Sequence, residues 1–182
     1  KKPKEHTVTH CQYVSARMMW IAGELKGEKM IIFSIYGHTQ PKSTEVIRSA
    51  FYDQLTGEIA SAKQQYPGHT LALLGDFNAR VGASPHNERD QVRGPYLLDK
   101  HVNKNGDSLL AFCGEQELSI TNTWFKPLPG IGSGTWRSPR ARRSGTAHGA
   151  TLDHIIMPQG CSVRIADCGI LPQVAPEGDT DH

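Results

Sequence analysis

The feature that most constrains the fold is a strand, helix and strand pattern between residues 29 and 74. The run 30–33 is continuously apolar, which is typical of a strand covered on both faces. Ser43 or Thr44 can then cap a helix, in which apolar residues recur at the spacing of an amphipathic helix. A short apolar strand follows at 69–74. This order of elements predicts a layered α/β fold.

Shorter elements are expected in the rest of the chain. Two apolar runs, 17–24 and 29–36, flank a turn at Gly27, and this arrangement predicts a β-hairpin. Residues 1–16 form a polar lead-in, so the predicted domain covers residues 17–182. The other expected elements are a helix at 105–113 and strands at 118–122, 151–157 and 162–168.

Composition narrows the classes of partner. No apolar stretch approaches the roughly 20 residues that cross a bilayer, so no membrane partner is expected. A net charge of +2 excludes the binding of DNA by bulk charge, but it allows a local basic patch. The chain starts without an apolar signal-peptide core, and its four cysteines contain no CxxC pair. These features predict an intracellular protein with reduced thiols.

The strongest signal for chemistry is the motif Gly75-Asp76-Phe77-Asn78, which follows a buried strand. Alternation along a strand would put the side chains of Asp76 and Asn78 on the same side. Active sites of α/β folds lie where strands end, and a carboxylate with an amide can hold and orient a water molecule. Considered alone, the motif is better explained as an Asx-turn that ends a strand.

Two further acidic motifs follow along the chain. Asp153 lies within the apolar run Thr151 to Ile156, where a charge is costly unless it is paired. The chain then ends with Asp179-Thr180-Asp181-His182, which alone would be interpreted as a solvated tail.

Taken in this order, the three motifs resemble the exonuclease-endonuclease-phosphatase superfamily, also called the DNase I-like superfamily. Tyr36 ends a buried strand as the family's tyrosine does, and Thr135-Trp136 resembles a Thr-Trp pair of the family. Segments 105–110 and 121–125 look like the endonuclease domain of non-LTR (LINE-type) retrotransposons and like craniofacial-development-protein-like sequences. The resemblance implies a four-layered α/β/β/α sandwich.

The resemblance also implies catalytic roles for five residues. Asp76 would position or deprotonate the attacking water, and Asn78 would hold that water and the phosphate. Asp153 would pair with His182, which would contact the scissile phosphate. Tyr36 would form a hydrogen bond to the phosphate from the other side.

A metal ion and DNA are the partners that the resemblance implies. Asp181 and Asp76 would be metal ligands, and their hard oxygens suit Mg²⁺ or Mn²⁺. The reaction would be the hydrolysis of one phosphodiester bond in a DNA strand. A parent polyprotein with a reverse transcriptase and a nuclear location are implied on the same basis.

Several residues are candidates for contact with the substrate. Thr39 can contact a phosphate, and Arg80 follows the Asp76 and Asn78 pair. The arginines after Trp136 lie in a Gly/Ser-rich loop, where they can contact DNA or can simply be solvated. The full set is Thr39, Arg80, Trp136, Arg137, Arg140, Arg142 and Arg143.

The chain departs from the family pattern in three places. The family tyrosine is usually followed two residues later by proline, whereas His38 occupies that position here. Thr180 replaces the usual serine of the last motif. The family also carries an asparagine and a metal-binding glutamate on strands before the tyrosine, and only 35 residues precede Tyr36.

These departures define the expected function and its alternatives. The chain is expected to lack the N-terminal strands of the fold and to nick DNA with impaired activity. One alternative is a non-catalytic relic or interaction module of the same fold. The other is a phosphatase of the same fold.

Overall fold

The computed structural model describes residues 6–40, 44–82, 91–96, 99–127, 134–137, 149–161 and 165–169. Two helices lie in these residues, α1 (Glu45–Gln65) and α2 (Lys104–Glu115), with a 3₁₀ turn at Thr121–Trp124. The strands are β1 (His6–Ser15), β2 (Met18–Leu25), β3 (Glu28–Tyr36), β4 (Thr70–Asp76), β5 (Leu118–Ile120), β6 (Trp136–Arg137), β7 (Gly149–Ala150) and β8 (Asp153–Pro158).

Six of the strands form one mixed sheet in the order β1-β2-β3-β4-β8-β5. Strands β3 and β4 are parallel and are connected through α1, while the other neighbours in the sheet are antiparallel. Strands β6 and β7 form a separate two-stranded sheet. The α/β fold predicted from the strand, helix and strand pattern is confirmed.

Helix α1 packs its apolar side on one face of the large sheet. It begins after Thr44, whose side chain accepts a hydrogen bond from the Ile47 N–H at 3.3 Å, as expected for an N-cap. Its buried residues join inward-facing residues of the strands in one core. The core contacts of the helix come from Phe51, Leu55, Ile59 and Ala62.

Part of the segment treated above as a polar lead-in, 1–16, is a strand of the sheet. Strand β1 occupies residues 6–15 and pairs antiparallel with β2, with irregularities of register at Thr9 and Val14. Most of its residues are exposed because β1 lies at the sheet edge. A polar, exposed edge strand lacks the apolar alternation by which a strand is found in a sequence.

Two other boundaries differ from the expectations. Helix α2 is capped by Asn103, which lies two residues before the predicted start; its Oδ1 accepts the Gly106 N–H at 2.7 Å. The strand expected at 162–168 lies partly outside the described residues, at 162–164, and residues 165–168 form no strand. Within the described ranges, no helix combines the length and apolar character that a membrane crossing requires.

Candidate active site

Three of the predicted site residues lie side by side at one end of the sheet, where β3 and β4 end and β8 begins. Tyr36 is the register partner of Asp76 across the parallel pair, and Asp76 is the partner of Asp153 across the antiparallel pair. Directly opposed residues place their side chains on the same face, with Cβ atoms about 5 Å apart. The sheet therefore presents Tyr36, Asp76 and Asp153 as one row.

Asp76 and Asn78 are joined by a tight turn. The Asn78 N–H donates to Asp76 Oδ1 at 2.7 Å, which is the hydrogen bond of an Asx-turn. Asn78 has left the strand and takes a left-handed backbone conformation with φ of 50°. The simple alternation argument for these two residues is therefore wrong, although both side chains border the same cavity.

Gly75 makes the close approach of β4 to β3 possible at the start of this turn. Its φ is 140°, and a Cβ at this position would collide with the carbonyl oxygen of Ile35. Asp76 is the next residue, so the position of its carboxylate depends on a backbone that only glycine adopts readily.

Two asparagines of the α2 segment connect the loops around the site. Asn105 Nδ2 donates to the carbonyl oxygens of His38, at 2.7 Å, and of Asn78, at 3.0 Å. Asn103 Oδ1 accepts the N–H of Arg80 at 3.1 Å, and Asn103 Nδ2 donates to the Asn78 carbonyl. Asn105 was expected in the helix cap, but it is a buried bridge between the loops that follow β3 and β4.

The row borders a cavity of about 530 Å³. Six predicted site residues line it, and Asp153 stands beside its wall as the register partner of Asp76. The other lining residues had no predicted role: Gln40, His101, Val102, Asn103 and Leu152. The predicted residues in the lining are Tyr36, Thr39, Asp76, Asn78, Arg80 and Trp136.

Arg80 brings a positive charge to this wall. Buried Asp99 lies near it, and Asp99 Oδ2 accepts the Thr151 N–H at 3.0 Å. Burial raises the pKa of the Asp99 carboxyl, while the Thr151 N–H and the charge of Arg80 act in the opposite direction. Asp99 is thus a buried acidic neighbour of Arg80.

Thr135 fixes the start of strand β8. Its Oγ1 accepts the N–H groups of Leu152, at 3.1 Å, and of Asp153, at 3.2 Å. The Phe77 N–H donates to the Leu152 carbonyl at 2.9 Å, which joins β8 to the loop after β4. Both residues of the Thr135-Trp136 pair therefore contribute to the site. Thr135 accepts a hydrogen bond from the Asp153 backbone, and Trp136 lines the cavity.

His154 forms a buried hydrogen bond to the loop that follows β4. Its ring is 2% exposed, and Nε2 lies 2.8 Å from the Ala79 carbonyl oxygen, so the neutral ring with a proton on Nε2 fits as a donor. Burial lowers the pKa of His154, with the Ala79 carbonyl and Asp153 acting in the opposite direction. His154 is therefore a neutral support for the loop that carries Asn78 and Arg80.

The Asp76 and Asp153 carboxylates have the hard oxygen atoms that Mg²⁺ binds. Mg²⁺ is commonly held by one or two carboxylates together with substrate phosphates and water, and Asp76 and Asp153 are neighbours in one row. Among the described residues, no three His, Cys, Asp or Glu side chains are grouped as a metal site. The site thus supplies two candidate carboxylates without an all-protein cage.

Several predicted residues lie beyond what the structure describes. Arg137 is in β6, but only its place in that strand is described. The predicted metal ligand, phosphate contact and basic loop fall outside the described residues and stay predictions: Asp181, His182, Arg140, Arg142 and Arg143.

Comparison with known proteins gives one curated relative and many solved structures. The chain is 27% identical over 176 residues to craniofacial development protein 2 of Bos taurus. That match covers 92% of this chain and 27% of the relative, so the chain spans about a quarter of the relative's length. No protein-family model matches the chain.

The solved structures share the fold at low sequence identity. A 3′–5′ exonuclease of Neisseria meningitidis aligns over 89% of this chain and 63% of its own, with 16% identity and a TM-score of 0.56. The endonuclease domain of TRAS1, a telomere-specific non-LTR retrotransposon, aligns over 87% and 58%, with 15% identity and a TM-score of 0.50.

A mannosyl-6-phosphatase of Bacteroides thetaiotaomicron aligns over 79% of this chain and 43% of its own, with 13% identity and a TM-score of 0.50. An endonuclease/exonuclease/phosphatase family protein of the same bacterium aligns over 78% and 41%, again with a TM-score of 0.50. Nucleases and a phosphatase thus share one architecture with this chain. The chain therefore has the DNase I-like fold that these solved structures share.

Proposed function

We propose that this protein is a metal-dependent phosphodiesterase that nicks DNA. The observation that carries the proposal is the row of Tyr36, Asp76 and Asp153 beside a cavity that Arg80 also lines. A phosphodiester needs a base for water, a hydrogen-bond donor and positive charge near its oxygens. The row and the cavity offer all three within one opening.

Asp76 is the proposed base. One of its carboxylate oxygens, Oδ1, is held by the Asn78 N–H, which fixes the orientation of the group toward the cavity. Asp76 would take a proton from a water molecule as the water oxygen bonds to phosphorus. The bond from phosphorus to one ester oxygen then breaks, and that oxygen takes up a proton from solvent water as it leaves. The proton on Asp76 returns to solvent, which restores the carboxylate.

Tyr36 and Arg80 would hold the phosphate. The Tyr36 side chain is 47% exposed, so its hydroxyl is accessible to a ligand in the cavity. The Arg80 guanidinium has five N–H donors that suit phosphate oxygens. Thr39 and Trp136, on the same walls, would contact the rest of the substrate. His182 and Asp153 keep their proposed pairing at the phosphate.

Asp76 and Asp181 would hold Mg²⁺ or Mn²⁺, while Asp153 pairs with His182. When bound, the ion supplies charge neutralisation at the reacting phosphate.

DNA is the proposed substrate because two features favour a nucleic acid over a small phosphorylated molecule. Trp136 adds an aromatic ring to a cavity that already holds Arg80, and such rings stack on bases. The names of two structural relatives describe a retrotransposon endonuclease and a 3′–5′ exonuclease. A nuclear location and a reverse transcriptase in the same polyprotein belong to this proposal.

Nicking of supercoiled plasmid tests the proposal. With Mg²⁺ or Mn²⁺, the protein should convert supercoiled DNA to the open circle, and chelation should stop the reaction. Asp76→Asn should lower the rate by about a hundredfold or more, since a positioned base contributes that much. Asp53→Asn, on the exposed side of α1, is the matched control and should keep the full rate.

Each contrary outcome has a definite meaning. Equal nicking by Asp76→Asn would overturn the assigned site. The absence of nicking with both metals would overturn the enzyme and leave the non-catalytic interaction module. Hydrolysis of a sugar phosphate that depends on Asp76, without nicking, would replace the nuclease with the phosphatase.

A further inference from the structure

Arg17 in the turn between β1 and β2 contacts the end of strand β3. Its Nη1 donates to the Gly37 carbonyl oxygen at 3.1 Å and lies 3.4 Å from the Tyr36 carbonyl oxygen. The Tyr36 N–H donates in return to the Arg17 carbonyl at 2.9 Å. The two residues are therefore joined by hydrogen bonds in both directions.

The Arg17 guanidinium also covers the ring of Tyr36. Its Cζ lies 5.0 Å from the ring centroid, which is within the range of a cation–π contact. The Tyr36 side chain is about half exposed, and a half-exposed ring keeps rotamer freedom unless a neighbour limits it. Arg17 is such a neighbour on the side of the ring where it stacks.

The same contact reaches Asn78 through a shared acceptor. Asn78 Nδ2 donates to the Gly37 carbonyl at 3.1 Å, so one oxygen receives donors from both Arg17 and Asn78. The Gly37 N–H donates to the Asp76 carbonyl at 2.6 Å. A shift of the 36–37 backbone would therefore move groups on both sides of the cavity.

The positive charge of Arg17 also affects His38, in the loop that follows β3. The pKa of His38 is lowered, first by burial and then by the charge of Arg17. The His38 ring packs edge-on against Phe51 at 5.9 Å, so the loop is anchored on α1 as well.

We propose that Arg17 is a positioning residue that sets the orientation of Tyr36 and, through the Gly37 carbonyl, of Asn78. This role rests on the proposed nuclease function. This role would connect the β1–β2 turn to the site, although no residue of that turn lines the cavity among the residues described.

Kinetics of Arg17 variants test this role. Arg17→Met should lower kcat for nicking by about tenfold or more, because small misplacements of reacting groups are costly, and KM should change less than kcat. Arg17→Lys keeps the charge and one donor but not the flat guanidinium, so it should recover part of the loss. Lys29→Met, a cation at the other end of β3, is the matched control.

A double-mutant cycle separates positioning from general stability. If Arg17 acts through Tyr36, then Arg17→Met should cost much less in a Tyr36→Phe background than in the wild type. Equal losses in both backgrounds would overturn the role of Arg17 in orienting Tyr36, and an unchanged kcat in Arg17→Met would overturn the whole proposal.

A spectroscopic measurement keeps this inference separate from the nuclease proposal. The chain has five tyrosines, and Tyr36→Phe identifies the ring signals of Tyr36 in a spectrum of ¹³C-tyrosine-labelled protein. Arg17→Met should shift the Tyr36 signals and leave the other four tyrosines in place. If the protein nicks DNA, unchanged Tyr36 signals in Arg17→Met would overturn the inference. If the protein never nicks DNA, shifted Tyr36 signals would uphold the Arg17 contact while the nuclease function fails.

Discussion

His154 shows how a single buried side chain makes the candidate site sensitive to acid. Its Nε2 serves the Ala79 carbonyl, and its Nδ1 is buried without a hydrogen-bond partner in the described part of the chain. A charged ring in this place would be poorly solvated. Burial accordingly lowers the pKa of His154 from its ordinary 6.5.

The sign of this shift predicts a loss of stability in acid. The unfolded chain binds a proton at His154 near pH 6.5, whereas the folded protein resists it to lower pH. The free energy of unfolding should therefore be greatest above pH 6.5 and should fall below it, by up to about 1.4 kcal/mol per pH unit. Urea unfolding at pH 7.5 and 5.5 measures this.

Variants assign the acid sensitivity to its source. His154→Gln retains an N–H donor without titrating, so its unfolding free energy should depend less on pH than that of the wild type. His6→Gln, on the exposed part of β1, should keep the wild-type dependence. The pKa of His38 is lowered too, so a dependence lost only in His38→Gln would refute the assignment to His154.

The residues of the site differ in how well sequence reasoning can find them. Asp76 and Asn78 form a motif that ends an apolar strand, and the structure places both beside one cavity. Arg17 and Asn105 act through backbone carbonyls of residues 20 to 67 positions away. Their partners are set by how distant segments pack, and nothing in the local pattern indicates those contacts.

At the scale of elements, replacing each of two glycines by alanine should change the free energy of unfolding in opposite directions. Gly75→Ala puts a Cβ against the Ile35 carbonyl at a φ of 140°, and should lower the free energy of unfolding by about 2 kcal/mol or more. Gly57 lies in α1 with open space around its Cβ position. Gly57→Ala should therefore raise the free energy by about 1 kcal/mol.

Chemical denaturation of both variants tests this pair. Gly75→Ala should also impair nicking, because it disturbs the backbone next to Asp76, whereas Gly57→Ala should leave the nicking rate unchanged. Equal stability of Gly75→Ala and the wild type would show that β3 and β4 separate at no cost and would refute the account of their close approach.

The elements with local signals were predicted, and those set by tertiary context were not. Helix α1 has an apolar stripe and the cap Thr44, and both appear in the structure. Strand β1 is polar and mostly exposed, so only its pairing with β2 defines it. Helix α2 is capped by Asn103, two residues before the predicted start. The Asn103 side chain accepts hydrogen bonds from the N–H groups of Gly106, in the helix, and of Arg80.

At the scale of the whole molecule, the charge balance predicts a shallow salt dependence of DNA binding. The net charge of +2 excludes binding by bulk charge, so we expect only a few local phosphate contacts. With two phosphate contacts, a rise from 50 to 200 mM salt should weaken duplex binding by about tenfold. Fluorescence anisotropy with a labelled duplex measures the slope.

Arg80→Gln should reduce that slope by about one contact, and Lys29→Gln should leave it unchanged. A slope as steep as that of six or more contacts would mean that an extended basic surface binds the DNA, and the cavity would not be the main determinant.

The whole fold was recognisable because the order of motifs carries more information than each motif alone. Asp76 as an isolated motif is an Asx-turn, and the structure does contain that hydrogen bond. Its row with Tyr36 and Asp153 spans residues 36 to 153 and emerges only when β3, β4 and β8 pair. The chain nevertheless spans only 41% to 63% of the structural relatives compared above.

The irregular pairing of strand β1 has a consequence for encounters between copies of the protein. An edge strand of ten residues would offer a long template on which another chain could extend the sheet. The breaks in register at Thr9 and Val14 interrupt that template, since each bulge twists the strand and disturbs the even spacing of its backbone groups. The edge is thereby divided into short pieces that discourage filament growth.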